Sequence, residues 1–223
     1  MKIKLYIILF FSEILLTQTV FCQFYQDSTY AIQIEAKRNV LKTNPFTIIQ
    51  GSIPFVSEFR LAYEHVTSAN SSIQLSGSYM AKGFYLIIAE AASSPPVNLK
   101  VRGYRFQAEY RYYFRKRSNK INAPKGMYLA SQFSYAHAKI TDKKNTLQDE
   151  YYLITYTNYN LKFGIQLIKE NLAFDPFIGL GYRDNTWQEH FNNATSVMNK
   201  DDIPFYSSNH LKISLGFNAG WAF

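Results

Sequence analysis

Charged side chains recur at intervals of two, or multiples of two, along segments that are otherwise apolar and aromatic. Residues two apart share one face of a β-strand, so such charges would lie on one side of a sheet. If that side is enclosed, the charges must pair and hydrogen-bond, because an isolated buried charge is strongly unfavourable. We therefore predict an ion-pair network that fills an interior, with a narrow charge-lined pore or gated plug as the alternative. These residues, called the predicted interior charges, are Glu58, Arg60, Glu64, Arg105, Glu109, Arg111, Lys162 and Arg183.

Catalytic and metal-binding chemistry has weaker support in the sequence. The four histidines, at positions 65, 137, 190 and 210, lack the short spacing of metal ligands. His210 and Ser214 fall four apart on one strand face, which places their Cα atoms about 13 Å apart. That is too far for a hydrogen bond between a nucleophile and its base. We predict no catalytic residue, no metal site and no cofactor, and keep a lipid A- or phospholipid-modifying enzyme as the alternative.

Eight segments of alternating apolar and polar residues would position these side chains. Alternation with a period of two predicts strands that have one apolar and one polar face. In the last segment Leu211, Ile213 and Leu215 begin an apolar face that ends at Phe223, and the opposite face is small and polar. Most segments approach the roughly 9–11 residues of a tilted membrane-spanning strand. The segments are 40–50, 57–65, 73–82, 103–115, 127–138, 158–167, 174–183 and 210–223.

An even number of strands with an apolar, aromatic outer face predicts an all-β fold, namely a single antiparallel up-and-down transmembrane β-barrel of about eight strands. In lipid, a closed sheet pairs every backbone group without helices. A soluble β-sandwich is disfavoured, because this apolar face is too long and too aromatic to be left in water. Long connections at 84–100, 140–155 and 184–208 fall on one side, as expected for external loops, and short turns at 67–71 and 169–173 fall on the other.

The N-terminus has the layout of a cleavable secretory signal peptide. Lys2 and Lys4 precede an apolar stretch that runs from Leu5 to Leu16, and cleavage is expected after Cys22. Lipid attachment at Cys22 is the less favoured alternative, because the residues before it do not resemble a lipobox. The predicted location is the outer membrane of a Gram-negative bacterium. The predicted organisation is a signal peptide at 1–22, a short N-terminal extension at 23–38 and an outer-membrane barrel at 39–223.

The charge balance bears on the partners. The chain carries a formal net charge of +8, and apart from Arg115–Arg117 its cationic residues are dispersed. It has no helix-turn-helix pattern, zinc-finger spacing or RNP-like motif, so nucleic acid is not a predicted partner. Attraction to anionic head groups explains the charge equally well. The predicted partners are outer-membrane lipids and lipopolysaccharide.

The layout resembles small bacterial outer-membrane barrels of the OmpA and OmpX type. More narrowly, it resembles the uncharacterised barrels common in Bacteroidetes, such as the DUF3575 proteins. The resemblance rests on Val40–Pro45, Phe59–Glu64 and Phe174–Tyr182, together with Gln23 just after the expected cleavage site. It covers nearly all of the mature chain. The resemblance implies a fold and a location, but no defined activity.

The end of the chain adds an expectation about assembly. Its last aromatic residues, Phe217, Trp221 and Phe223, look like the C-terminal signal that barrel-assembly machinery recognises. The resemblance thus implies that this machinery is a partner during biogenesis.

Two of the predicted connections could contact something outside the barrel. Residues 84–92 are apolar, and they form either a loop that docks on a partner or dips into lipid, or a continuation of the third strand. The polar segment 184–208 is the favoured surface for an extracellular ligand, because binding residues concentrate on loops held by a rigid scaffold. Its candidate contact residues are Trp187, His190 and Phe191.

The sequence favours one function over two others. We predict a non-enzymatic outer-membrane barrel that acts as a membrane anchor, a structural element or a surface-binding protein. Its lumen would be filled by side chains, because an eight-stranded barrel is just wide enough for them. The alternatives are the lipid-modifying enzyme and, less favoured, the narrow pore.

Overall fold

Nine β-strands and two short helices make up the described part of the chain. The computed structural model describes residues 37–49, 51, 56–93, 98–114, 123–142, 150–191, 194–198 and 210–223. The predicted signal peptide and the predicted extension as far as residue 36 lie outside the described residues. In chain order the elements are β1 (Asn39–Thr43), α1 (Phe46–Ile49), β2 (Val56–Ser68), β3 (Ser71–Lys82), α2 (Phe84–Ala92), β4 (Leu99–Tyr113), β5 (Gly126–Asp142), β6 (Tyr151–Lys169), β7 (Leu172–Phe191), β8 (Ala194–Val197) and β9 (Leu211–Ala222).

The strands close into an antiparallel barrel. Each of β1–β6 pairs with the next strand in the sequence, and β9 pairs with both β7 and β1. Eight strands therefore form a ring, and β8 makes a short hairpin with the end of β7. The prediction of an all-β antiparallel barrel of eight strands is confirmed. No helix in the described ranges is long and apolar enough to cross a membrane.

The two ends of the barrel differ in their connections. One end, called the turn end, carries the tight turns at 69–70 and 170–171. The chain also closes there, because the main chains of Asn39 and Phe223 exchange hydrogen bonds of 3.0 and 2.9 Å. The opposite end, called the loop end, carries α2 and the connections 143–150 and 192–210.

Side chains alternate between the interior and the outer surface along most of each barrel strand. In β6, Asn158, Asn160 and Lys162 are buried, whereas the intervening Tyr159 and Leu161 are 41% and 55% exposed. The alternation follows from the pleat of the strand, which turns successive side chains to opposite faces. The outer face is apolar and the interior is polar, the reverse of a water-soluble barrel.

Strand β1 is shorter than the sequence predicts. The prediction of a strand over 40–50 is correct only as far as Thr43, after which α1 begins at Phe46. Proline at position 45 cannot donate a hydrogen bond to the neighbouring strand. The Asn44 side chain instead accepts from the main-chain N–H of Phe46 at 3.1 Å and of Thr47 at 3.3 Å, as an N-cap does. The chain therefore leaves the sheet after five residues.

Residues 84–92 do not continue the third strand, which ends at Lys82. They form helix α2 instead. Glu90 anchors the helix, because it forms an ion pair with Lys82 and accepts a hydrogen bond from the main-chain N–H of Leu99. Leu86 turns back onto apolar side chains inside the barrel.

The prediction of a loop over 184–208 is wrong for residues 184–191. Strand β7 continues to Phe191, because β6 begins as early as Tyr151 and provides a partner along the whole length. Trp187, His190 and Phe191 therefore lie on a strand and not on a loop. The predicted loop at 140–155 is shortened in the same way, since β5 continues to Asp142.

Candidate functional site in the barrel interior

The structure places all eight predicted interior charges inside the barrel. Their exposed fractions range from 0% for Arg111 to 7% for Arg60. Three further buried charges, Lys42, Asp175 and Lys212, were not predicted from the sequence, although each lies an even number of residues from other buried positions of its strand. Lys42 and Asp175 stand close to prolines 45 and 176, which weaken the alternation there.

Arg111 is the centre of a charge cluster in the half of the barrel nearer the turn end. Its Nε donates to Glu109 Oε1 at 2.7 Å, and its Nη1 donates to Asp175 Oδ2 at 2.9 Å. Nη1 also lies 3.5 Å from Glu64 Oε2. A single guanidinium on β4 therefore connects carboxylates on β2, β4 and β7.

Two lysines complete this cluster. Lys42 Nζ lies 2.5 Å from Glu64 and 3.3 Å from Asp175, and Lys162 Nζ lies 2.9 Å from Glu109. The six-charge cluster thus has three cations and three carboxylates, and its charges balance. Such balance is what allows ions to be buried, because each charge finds both a partner and hydrogen bonds. Its members are Lys42, Arg111, Lys162, Glu64, Glu109 and Asp175.

Neutral side chains satisfy the remaining oxygens of these carboxylates. The Tyr113 hydroxyl donates to Glu64 at 2.6 Å, and the Tyr128 hydroxyl donates to Asp175 at 2.6 Å. Asn218 Nδ2 also donates to Asp175, at 2.8 Å. These bonds fix the carboxylates in position and make the cluster a rigid, space-filling core.

The half of the interior nearer the loop end, called the loop half, holds more buried cations than buried carboxylates. It holds four buried cations, called the cationic group, which are Arg60, Arg105, Arg183 and Lys212. The buried carboxylate in this half, Glu58, lies 3.1 Å from Arg105 and accepts from Ser78 at 2.7 Å. Across the described residues, seven buried cations therefore stand against four buried carboxylates, a surplus of three. The whole surplus belongs to the cationic group.

Apolar layers cover the charged interior at both ends. At the loop end, Val56, Met80, Ile154 and Tyr156 pack together, and Leu86 of α2 and Trp187 pack against them. At the turn end, the corresponding layer consists of Val66, Tyr113, Ala123, Tyr128 and Ala130. Apolar side chains therefore lie in the interior toward both ends of the barrel.

A cavity of about 260 Å³ lies beside the cationic group. Its inner wall includes Arg60, Arg105, Lys162 and Lys212, together with two glutamine side chains. Its outer wall includes side chains of α1 and β9 that are exposed on the barrel surface, among them Phe46 and Leu215. The cavity therefore connects the interior with the outer face of the barrel.

The predicted C-terminal signal residues lie on or near the outer face. Phe217 packs against Phe174 with their ring centroids 5.3 Å apart, and Trp221 and Phe223 are about half exposed. The main chain of Phe223 pairs with Asn39 and so takes part in closing the barrel.

The predicted surface-contact residues occupy three different environments. Trp187 packs against the apolar layer inside the loop end. His190 stacks on Tyr151, with their ring centroids 4.5 Å apart, and Phe191 is 48% exposed. Trp187 therefore faces inward, and contact of these three residues with an extracellular ligand stays a prediction.

The histidines are dispersed over the barrel. His210 Nδ1 lies 2.9 Å from the main-chain oxygen of Arg183, and His137 Nδ1 lies 3.4 Å from Thr155. Within the described ranges, no group of three or more histidine, cysteine, aspartate or glutamate side chains is placed to hold a metal ion.

Comparison with protein families, with curated proteins and with solved structures finds no match to this chain. The resemblance to the OmpA, OmpX and DUF3575 barrels stays a prediction.

Proposed function

We propose that this chain is an outer-membrane β-barrel protein without enzymatic activity, which acts as a membrane anchor, a structural element or a surface-binding protein. The observation that carries the proposal is the reversed polarity of the barrel. Large apolar side chains cover its outer face, and its buried interior is charged. This arrangement minimises free energy in lipid, where apolar surface is solvated by acyl chains and polar groups must be satisfied inside.

The outer face supports a spanning orientation by its dimensions. On β6 the outward residues from Tyr159 to Leu167 are all apolar or aromatic and all substantially exposed. This run covers nine residues, in keeping with the roughly 9–11 that a tilted strand needs. The apolar N-terminal stretch and the positive net charge agree with export to a membrane that is rich in anionic head groups.

The interior supports an anchoring or binding role over a pore. The six-charge cluster and the two apolar layers occupy the space through which solutes would pass. An eight-stranded barrel leaves little more room than its own side chains need. Binding at the cell surface would then fall to the loop end, where α2 and the β7–β8 hairpin project.

The proposal is tested by membrane fractionation of a Gram-negative host that expresses the full chain. We expect the protein in the outer-membrane fraction, with a shift in gel mobility between unboiled and boiled samples. Closed barrels give such a shift because they keep their compact form in detergent until heated. A periplasmic protein without a shift would contradict the proposal.

Two arginine substitutions on β6 provide a matched control. Leu161→Arg places a charge in the middle of the apolar run, and Leu167→Arg places it near the turn end. A charge on the lipid face costs about 2–4 kcal/mol at mid-depth and about 0–1 kcal/mol near the interface. We expect Leu161→Arg to lower the yield of folded protein in the membrane much more than Leu167→Arg.

A further inference from the structure

In the loop half of the barrel, the described residues leave part of the wall without a strand. Because β1 ends at Thr43, it pairs with β9 only at residues 219–222 and with β2 only at residues 62–65. The edges of β2 over 56–61 and of β9 over 212–217 therefore face each other without an intervening strand in the described part of the chain. We call this opening the wall gap.

Helix α1 covers part of the wall gap, but it is attached to one side. Thr47 Oγ1 donates to the main-chain oxygen of Glu58 at 2.9 Å, and Ser57 Oγ donates to that of Ile48 at 2.6 Å. Both bonds connect α1 to β2. The opposite rim, formed by Ile213 and Leu215 of β9, is 61% and 73% exposed. The helix thus resembles a flap that is held at one edge.

The cavity lies directly behind this gap. Its lining joins residues from both rims with the interior cations Arg60, Arg105 and Lys212. Nε and Nη2 of Arg60, and Nε of Arg105, are buried without a hydrogen-bond partner among the described residues. Buried charged donors need acceptors, and an anionic ligand in the cavity would supply them.

The chemistry of the ligand follows from the two walls. The inner wall needs an anion with several oxygen acceptors, such as a phosphate or a carboxylate, since arginine binds these groups well. The outer wall, with Phe46, Ile213 and Leu215, is apolar and exposed. At about 260 Å³ the cavity is smaller than the roughly 300–1,000 Å³ of typical small-molecule sites, so it accommodates a head group and not a whole lipid.

We propose that the barrel binds the anionic head group of a lipid-like molecule in this cavity, with the acyl chain leaving through the wall gap to the outer face. Arg60 and Lys212 supply the main charge for the head group, and Phe46, Ile213 and Leu215 contact the chain. This inference rests on the proposed membrane location, because the gap would then open onto acyl chains.

The test measures binding to the full mature chain, folded in an uncharged detergent and free of phosphate buffer. Dodecyl phosphate is the probe, and inorganic phosphate and dodecanol are the comparison ligands. Native mass spectrometry counts the bound molecules during each titration. We expect dodecyl phosphate to bind about tenfold or more tightly than either comparison ligand, because only dodecyl phosphate contacts both the cationic inner wall and the apolar outer wall.

Two double variants separate the site from general charge attraction. Arg60→Met with Lys212→Met removes two cations that line the cavity, and we expect at least a tenfold loss of dodecyl phosphate affinity. Arg102→Met with Lys169→Met removes the same two residue types from exposed positions on β4 and β6, and we expect no change. The shift in gel mobility between unboiled and boiled samples is used to establish that each variant is folded before it is titrated.

Three results would overturn the inference. Equal affinity for inorganic phosphate and dodecyl phosphate would exclude a lipid-like ligand, because the acyl chain would contribute nothing. Unchanged affinity in the interior double variant would exclude the cationic group as the site. Absence of binding by a barrel that fractionates with the outer membrane would refute this inference alone and leave the proposed function standing.

Discussion

At the scale of single residues, Arg111 determines whether the interior can hold its charges. It contacts Glu64, Glu109 and Asp175, and it is completely buried. Lys42 also contacts Glu64 and Asp175, and Lys162 contacts Glu109. Removing Arg111 would therefore leave three carboxylates with two cations.

The first prediction concerns this guanidinium. Arg111→Met should lower the free energy of unfolding by about 3–5 kcal/mol, the usual effect of removing one partner from a buried ion pair. Urea unfolding of the barrel in lipid vesicles measures the change. Arg102→Met, an exposed position on the same strand, serves as the control and should have little effect. Equal stability of the two variants would show that the six-charge cluster contributes nothing to folding.

Alternation along the strands identifies the interior charges but not the residues with which they pair. Parity along each strand identifies Glu58, Arg105 and the other predicted interior charges, because a pleated strand leaves no other choice of face. Parity does not identify the partners. Arg111 and Asp175 are distant in the sequence and lie on strands that do not pair with each other, so their contact depends on the closure of the barrel.

At the scale of elements, the closing strands β1 and β9 are the most constrained. The two strands pair over only four residues, from Val40 to Thr43 on β1. Gly220 lies in the middle of this contact. A Cβ atom there would collide with the main-chain oxygen of Leu41 and would lie 2.6 Å from Lys42 Cγ. The short closure tolerates no side chain at this position.

The second prediction follows from that contact. Gly220→Val should reduce the fraction of protein that keeps its compact form in unboiled gel samples, since overpacking costs about 1–3 kcal/mol. Gly77→Val is the matched control, because a Cβ at Gly77 on β3 meets no atom within 4 Å. If both variants close equally well, the β1–β9 contact is not what limits closure.

Sequence reasoning was least successful for elements near the loop end. The wall gap exists because Asn44 and Pro45 end β1 early, and a proline alone does not distinguish a bulge from a strand end. The extension of β7 to Phe191 depends on its pairing with β6, which local alternation does not reveal. Helix α2 replaces a continued strand because Glu90 and Leu86 find tertiary partners.

At the scale of the whole molecule, the barrel combines an interior occupied by charged side chains with a cavity that opens on one side. The apolar layers lie toward its two ends, and the wall gap lies in the wall between them. Buried side chains occupy the interior along the barrel axis, whereas the cavity beside α1 opens toward the outer face. For a barrel that spans a membrane, as proposed, this geometry predicts ligand binding from the side and no conduction along the axis.

The third prediction concerns conduction. The full chain, inserted in a planar bilayer, should show no discrete conductance steps, because the six-charge cluster and both apolar layers occupy the lumen. A general porin measured in the same bilayer provides the positive control. Reproducible conductance steps from the purified barrel would contradict a filled lumen.

Spin labels along β6 test whether the apolar face of the barrel lies in lipid. Single cysteines at positions 159, 161, 163, 165 and 167 of the mature chain sample the outward face in lipid vesicles, and Lys169→Cys samples the strand end. We predict that labels at 159–167 collide with oxygen far more than with a water-soluble nickel chelate, and that the label at 169 shows the opposite preference. Preferential collision with the chelate at positions 161–165 would place this face in water and contradict the proposed membrane location.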